Sequence, residues 1–166
     1  MTRKYRTRPT SRRVAEIAFG DSAPYGSQWL LLDSHVWYWL LEERMDEMRS
    51  DAQATVHAAI EGQHVAISDA SPWELLDKAH RGRLRTALPP RDWVNRALNA
   101  PGLRTLPLTR ALLLDSAELP GEPPRDPFDR VIIASARQEG MTLVTADRAI
   151  LAWAAATGAV RTLPAR

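Results

Sequence analysis

The chain has no cysteine, and that absence removes several chemistries at once. A disulfide framework, a thiolate zinc site and a cysteine nucleophile are all excluded. Long apolar runs are missing too. None approaches the roughly 20 residues needed to cross a bilayer, and the arginine-rich start lacks the apolar stretch of a secretory leader. A cytoplasmic location is the default expectation. The four histidines show no recognisable metal-binding spacing.

What is present suits one globular domain: 166 residues with 45% apolar content can bury a real core. The net charge of +2 hides an uneven distribution. Residues 1 to 20 carry six basic side chains (Arg3, Lys4, Arg6, Arg8, Arg12, Arg13) against one acid, Glu16. Removing these from the 22 basic and 20 acidic residues leaves 16 and 19, so the remainder is mildly acidic. Residues 1–28 therefore read as a basic, disordered N-terminal extension, with Pro24, Gly26 and Ser27 marking the boundary to a folded domain over 29–166. The extension can be a phosphate-binding tail, a merely solvated leader, or the product of a start codon placed too far upstream.

From Trp29 onward short apolar runs alternate with longer helical segments, the signature of an α/β domain with a mainly parallel sheet. Strands are expected at 29–33, 64–68, 102–108 and 141–145, with an edge strand at 159–163. Helices are expected at 34–43, 46–61, 71–81, 91–99, 109–119, 127–139 and 147–156. Gly62, Gly82 and Gly140 serve as stops, and prolines sit at or near several helix starts. The helix from Pro127 shows few polar positions before its end and reads as central and largely buried.

Four stretches place a carboxylate where a strand gives way to a helix: Leu31-Leu32-Asp33-Ser34-His35, Ser71-Pro72-Trp73-Glu74, Asp126-Pro127-Phe128-Asp129-Arg130 and Thr145-Ala146-Asp147. Each acid has an ordinary explanation. Ser71 and Glu74 fit a capping box, Asp126 precedes a proline at the first helical position, and Asp33 and Asp147 can cap their own helices. Jointly they suggest more, because helix N-termini in an open parallel sheet gather at the carboxyl ends of the strands, where ligands bind. Capping also leaves Asp126 and Asp129 together unexplained.

Converging carboxylates raise one another's pKa unless a cation neutralises them. An oxygen-only set favours Mg2+ or Mn2+ over zinc or copper. His35 lies beside an acid, but a packed or solvent-facing role suits it better than that of a ligand. Trp37, Trp39, Leu40 and Leu41, with Trp73 and Trp93, read as core or dimer-interface packing rather than an RNA-stacking surface.

These residues match a known pattern. The chain resembles the PIN-domain family of the bacterial VapC toxin type from about Leu30 to Leu163. Its carriers are Leu31-Leu32-Asp33-Ser34-His35-Val36-Trp37, then Ser71-Pro72-Trp73-Glu74 with Lys78 and Gly82-Arg83-Leu84. Arg125-Asp126-Pro127-Phe128-Asp129-Arg130-Val131-Ile132-Ile133-Ala134 and Leu143-Val144-Thr145-Ala146-Asp147 follow in the same order. The resemblance implies a PIN-like three-layer fold, with a central, mainly parallel sheet flanked by helices.

It also implies a metal-dependent endoribonuclease, the toxin of a toxin–antitoxin pair, hydrolysing RNA phosphodiester bonds with metal-activated water. The family's acidic quartet falls on Asp33, Glu74, Asp129 and Asp147, with Asp126 as a fifth acid. Ser34, Ser71 and Thr145 are hydroxyls expected to orient carboxylates or water. Arg130 is expected to meet substrate phosphate or to pair with Asp126. Lys78 is expected to form an ion pair with Glu74 one turn away. Arg81, Arg83, Arg85 and Arg104 are candidates for RNA affinity or ordinary surface. Implied partners are an RNA substrate, a cognate antitoxin and a second copy in a homodimer. Two alternatives remain: a receiver-like magnesium module, disfavoured because Lys4 and Lys78 are the only lysines, and a catalytically inactive PIN-fold binding module.

Overall fold

The computed structural model describes residues 28–166, so the expectations for the N-terminal extension lie outside the described residues. Five strands form one sheet: β1 (Leu30–Leu32), β2 (Val65–Ser68), β3 (Leu103–Leu106), β4 (Thr142–Thr145) and β5 (Arg161–Pro164). Their order is β3-β2-β1-β4-β5, and all four pairings are parallel. The helices are α1 (Ser34–Leu41), α2 (Ser50–Glu61), α3 (Ala70–His80), α4 (Pro90–Leu98), α5 (Arg110–Ala117), α6 (Pro127–Gln138) and α7 (Arg148–Thr157).

The alternation of side chains along each strand divides the interior into two cores. Leu30 and Leu32 of β1 enter one, together with Val65 and Ile67 of β2 and the apolar faces of α1, α2 and α4. Leu31 and Ala66 enter the other, against Ile132, Ile133 and Ala136 of α6 and Ile150, Trp153 and Ala154 of α7. A strand buried on both faces needs a continuous apolar run, and Leu30-Leu31-Leu32 supplies it. Each such residue contributes about 1.5–3 kcal/mol by leaving water. The result is the expected sheet between two layers of helices.

Two differences from the sequence reading have plain causes. The helix expected over 46–61 is a 3-10 turn at Met45–Glu47 followed by α2. Met48 is extended and buried, and the Arg49 amide donates to the Ala165 carbonyl at 2.8 Å, which ties this corner to the end of β5. Gln53 Nε2 then donates to the Met45 and Met48 carbonyls that the break exposes. In addition, α3 begins at Ala70, with Asp69 at its N-cap position.

Strand order reverses between β1 and β4, since β1 continues to β2 on one side while β4 lies on the other. In an open parallel sheet such a reversal opens a crevice at the carboxyl ends. The Asp33 amide donates to the Val144 carbonyl at 3.0 Å, so Asp33 stands at the rim of that crevice.

Candidate active site

The five acids reach this rim from four places in the fold, with Asp126 and Asp129 sharing α6. Asp33 occupies the N-cap position of α1 but makes no capping hydrogen bond. Its Oδ2 instead accepts the Thr145 hydroxyl at 2.5 Å and lies 3.2 Å from His35 Nδ1. Glu74, in the first turns of α3, is 5% exposed. Its Oε1 pairs with Lys78 Nζ at 2.5 Å, whereas its Oε2 is buried without a hydrogen-bond partner. Asp129 is the third residue of α6. Asp126 caps α6 by accepting from the Phe128 amide at 2.8 Å. Asp147 caps α7 by accepting from the Ala149 and Ile150 amides at 2.7 and 3.0 Å.

Their electrostatics link the other four acids to Asp129. The Asp129 carboxyl is pushed up to about 8, first by burial and then by Asp33, Asp126, Asp147 and Glu74 in turn. Charges at the β1–α1 junction, on α3, at the start of α6 and at the β4–α7 turn therefore act on one carboxyl group. Asp33 is also raised by burial; His35 and the Thr145 hydrogen bond oppose that shift, while Glu74 adds to it. Among the described residues, no three acidic or imidazole groups already stand at distances that close round one ion. The donor set nevertheless fits a hard divalent cation, being all oxygen. The orphaned Oε2 of Glu74 is an acceptor facing no donor, a costly arrangement in a protein interior.

The hydroxyls divide. Thr145 Oγ1 accepts from the Asp147 amide at 3.0 Å while donating to Asp33, so it links two of the acids. Ser34 Oγ donates to Ser71 Oγ at 3.0 Å, joining α1 to α3 below the rim. The capping-box reading of Ser71 and Glu74 is overturned: no side chain caps α3, and Ser71 lies inside the helix. Arg130 does not pair with Asp126 among the described residues; its Nε donates to the Pro124 carbonyl and braces the loop ahead of α6.

The aromatic set divides as well. Trp37, Trp39 and Trp93 are core residues, but Trp73 is 61% exposed, edge-on to Phe128 at 4.8 Å. Core packing does not account for Trp73. His35 is the residue that sequence reasoning undervalued. The Ala146 amide donates to its Nε2 at 2.9 Å while its Nδ1 faces Asp33. No local pattern signals this, because the second partner is a backbone amide far along the chain.

With the site described, comparison with known proteins is informative. The PIN domain family model matches residues 30–155. Ribonuclease VapC22 of Mycobacterium tuberculosis is 35% identical over 119 residues, covering 72% of this chain and 87% of that protein. Among solved structures, DNA-bound VapBC from Salmonella typhimurium superposes with a TM-score of 0.58 at 16% identity, over 82% of this chain and 97% of that one. FitAcB from Neisseria gonorrhoeae gives 0.54 at 17% identity, over 81% and 96%. At these identities the structural likeness speaks for the fold, while the family match and the curated relative establish kinship. This chain belongs to the PIN-domain family, and within it to the VapC type.

Proposed function

We propose that the protein is a divalent-metal-dependent endoribonuclease and the toxin half of a toxin–antitoxin pair. The observation that carries the reading is the acid cluster at the sheet's reversal point, with Asp33 and Glu74 buried, Asp129 raised to about 8 and Glu74 Oε2 left without a donor. Folding acids into such a place is unfavourable unless positive charge arrives there. The name of the Mycobacterium relative, a ribonuclease, supports the same class of reaction.

Asp33 and Asp129 would be the principal cation ligands, with Glu74, Asp147 and Asp126 completing the set. A bound Mg2+ or Mn2+ supplies Lewis-acid polarisation of a phosphoryl group and eases deprotonation of water at neutral pH. The chain's own residues do the positioning. Thr145 holds Oδ2 of Asp33, and Lys78 holds Oε1 of Glu74 so that Oε2 points free. RNA affinity would come from exposed arginines such as Arg81, Arg83 and Arg85 after α3 and Arg104 on β3, since an acidic cleft repels phosphates. No side-chain nucleophile is required.

That solved structural neighbours are VapBC complexes supports an antitoxin as partner. A homodimer is proposed on the exposed apolar patch of Trp73, Leu113 and Leu114, a kind of surface that marks an interaction site. The decisive experiment is cleavage of single-stranded RNA with Mg2+ or Mn2+, with EDTA and Asp33→Asn as controls. Cleavage should require the cation and fall by about 100-fold or more in the variant, beyond the range typical for outer contacts to a metal site. Cleavage that persists in EDTA would overturn the proposal.

A further inference from the structure

We infer that His35 is a positioning residue that, with Thr145, saturates Oδ2 of Asp33 and leaves Oδ1 as that residue's cation-facing oxygen. The inference rests on the nuclease reading of the acid cluster, and it assigns a task to a side chain outside the acidic set.

The argument is an inventory of protons. A backbone N–H is an obligatory donor, and the Ala146 N–H points at His35 Nε2 at 2.9 Å. That nitrogen must therefore carry the lone pair, which puts the neutral ring's proton on Nδ1. Nδ1 stands 3.2 Å from Asp33 Oδ2, so it donates there. The same oxygen accepts the Thr145 hydroxyl. Thr145 cannot turn its proton elsewhere without loss, because its own oxygen accepts the Asp147 N–H at 3.0 Å. Two consecutive amides of the turn after β4, those of Ala146 and Asp147, thus determine the direction of both donors that grip Oδ2.

The ring is also held from the side. Trp39, itself a core residue, meets it edge-on at 5.0 Å and 71°. With both hydrogen bonds and this contact satisfied, the imidazole has one favourable orientation. Histidine and a carboxylate commonly support each other around metals, usually with the histidine as ligand and the acid outside. Here the order is reversed: the acid faces the cleft and the histidine stands behind it. The arrangement also ties Asp33 to the backbone turn that presents Asp147.

Two conservative variants separate the two hydrogen bonds. In His35→Asn the amide nitrogen replaces Nδ1 and keeps the donor to Asp33. In His35→Gln the longer amide reaches the Ala146 N–H but offers Asp33 nothing. Mn2+ affinity is measured on the full-length chain by electron paramagnetic resonance of free Mn2+, with melting temperature in EDTA recorded for each variant. Expected are an affinity within about threefold of wild type for His35→Asn and a loss of about 10–100-fold for His35→Gln, the range for supporting contacts, at similar melting temperatures. A 15N-edited spectrum of the metal-free protein should show His35 protonated on Nδ1 and bare on Nε2.

Wild-type affinity in both variants would overturn the inference, as would equal losses that track melting temperature or the opposite tautomer. If Mn2+ binds wild type but not Asp33→Asn while both His35 variants match wild type, this inference fails and the nuclease proposal stands. If wild type binds no Mn2+, both fall.

Discussion

The two edges of the sheet follow one electrostatic rule and reach opposite outcomes. At the amino ends of the strands, helices finish and cations stand near their ends: Arg161 donates to the Gly140 carbonyl just past α6, and Arg137, its Nη1 buried without a hydrogen-bond partner, lies in the last turn of α6. At the carboxyl ends, helices begin and acids meet their amides, as Asp126 does for α6 and Asp147 for α7. Both arrangements complement the helix dipole. They differ in crowding and burial. Arg161 is exposed, whereas Asp33 and Glu74 are almost wholly buried and four acids act on Asp129. Dipole complementarity explains acids at helix starts one at a time, but not the four neighbouring acids that, after burial, raise Asp129. The raised Asp129 and the partnerless Oε2 of Glu74 at the carboxyl edge are what the nuclease proposal rests on.

Removing the support beneath the acids gives the largest expected effect. Ile133 is fully buried in the core under the sheet and lies one helical turn after Asp129 on α6. Ile133→Ala should cost about 2–5 kcal/mol, measured by urea unfolding, and should weaken Mn2+ binding as α6 loosens. A stability loss of that size with unchanged Mn2+ affinity would break the idea that tight packing beneath the rim holds the acids together.

Next in size is a pH effect confined to one edge. An unfolded aspartate has a pKa of about 3.9, while Asp129 in the fold stands near 8. Between those values the native state holds a proton that the unfolded chain has released, so stability of the cation-free protein falls as pH rises through that window and levels off above it. The raised Asp33 carboxyl acts in the same direction. Urea unfolding in EDTA between about pH 5 and 8 should show this decline. Asp129→Asn should flatten it, and the variant should exceed wild type in stability at the alkaline end. Mg2+ should restore wild type there, because cation binding displaces the proton. A pH-independent wild type would mean that the acids do not sense one another.

The sequence disclosed much of this because its signals were local. Leu30-Leu31-Leu32 before Asp33 announces a buried central strand, and Asp126-Pro127 announces a helix start. Strand order could be anticipated only through resemblance, since it depends on contacts between distant segments. The break at Met48 escaped notice because the periodicity of 46–61 suits one helix, and only the tie from Arg49 to Ala165 interrupts it. For Trp73 the choice between core and dimer interface stays open in the sequence for a related reason. Its spacing says that it is apolar and helical, not that it projects beyond α3 onto Phe128 at the surface. The role of His35 was illegible for a deeper one: one of its two partners is a backbone amide, which every residue possesses.

The smallest expected effect tests the quiet edge. Gly158 ends α7 at φ +64, with its amide donating to the Ala154 carbonyl at 2.8 Å. A Cβ there would meet nothing within 4 Å, so only backbone strain opposes a side chain. Gly158→Ala should therefore cost about 1–2 kcal/mol, the left-handed penalty for an L-residue. Because α7 starts at Asp147 on the opposite edge, the change also asks whether strain introduced at one end of a helix reaches the other. Ten residues of hydrogen-bonded helix, anchored by buried Ile150, Trp153 and Ala154, separate the two ends. Mn2+ affinity and RNA cleavage should stay at wild-type levels while the urea midpoint falls. A parallel drop in Mn2+ affinity would show that the two edges are mechanically one, and that the acid cluster depends on the whole length of α7 rather than on its own rim.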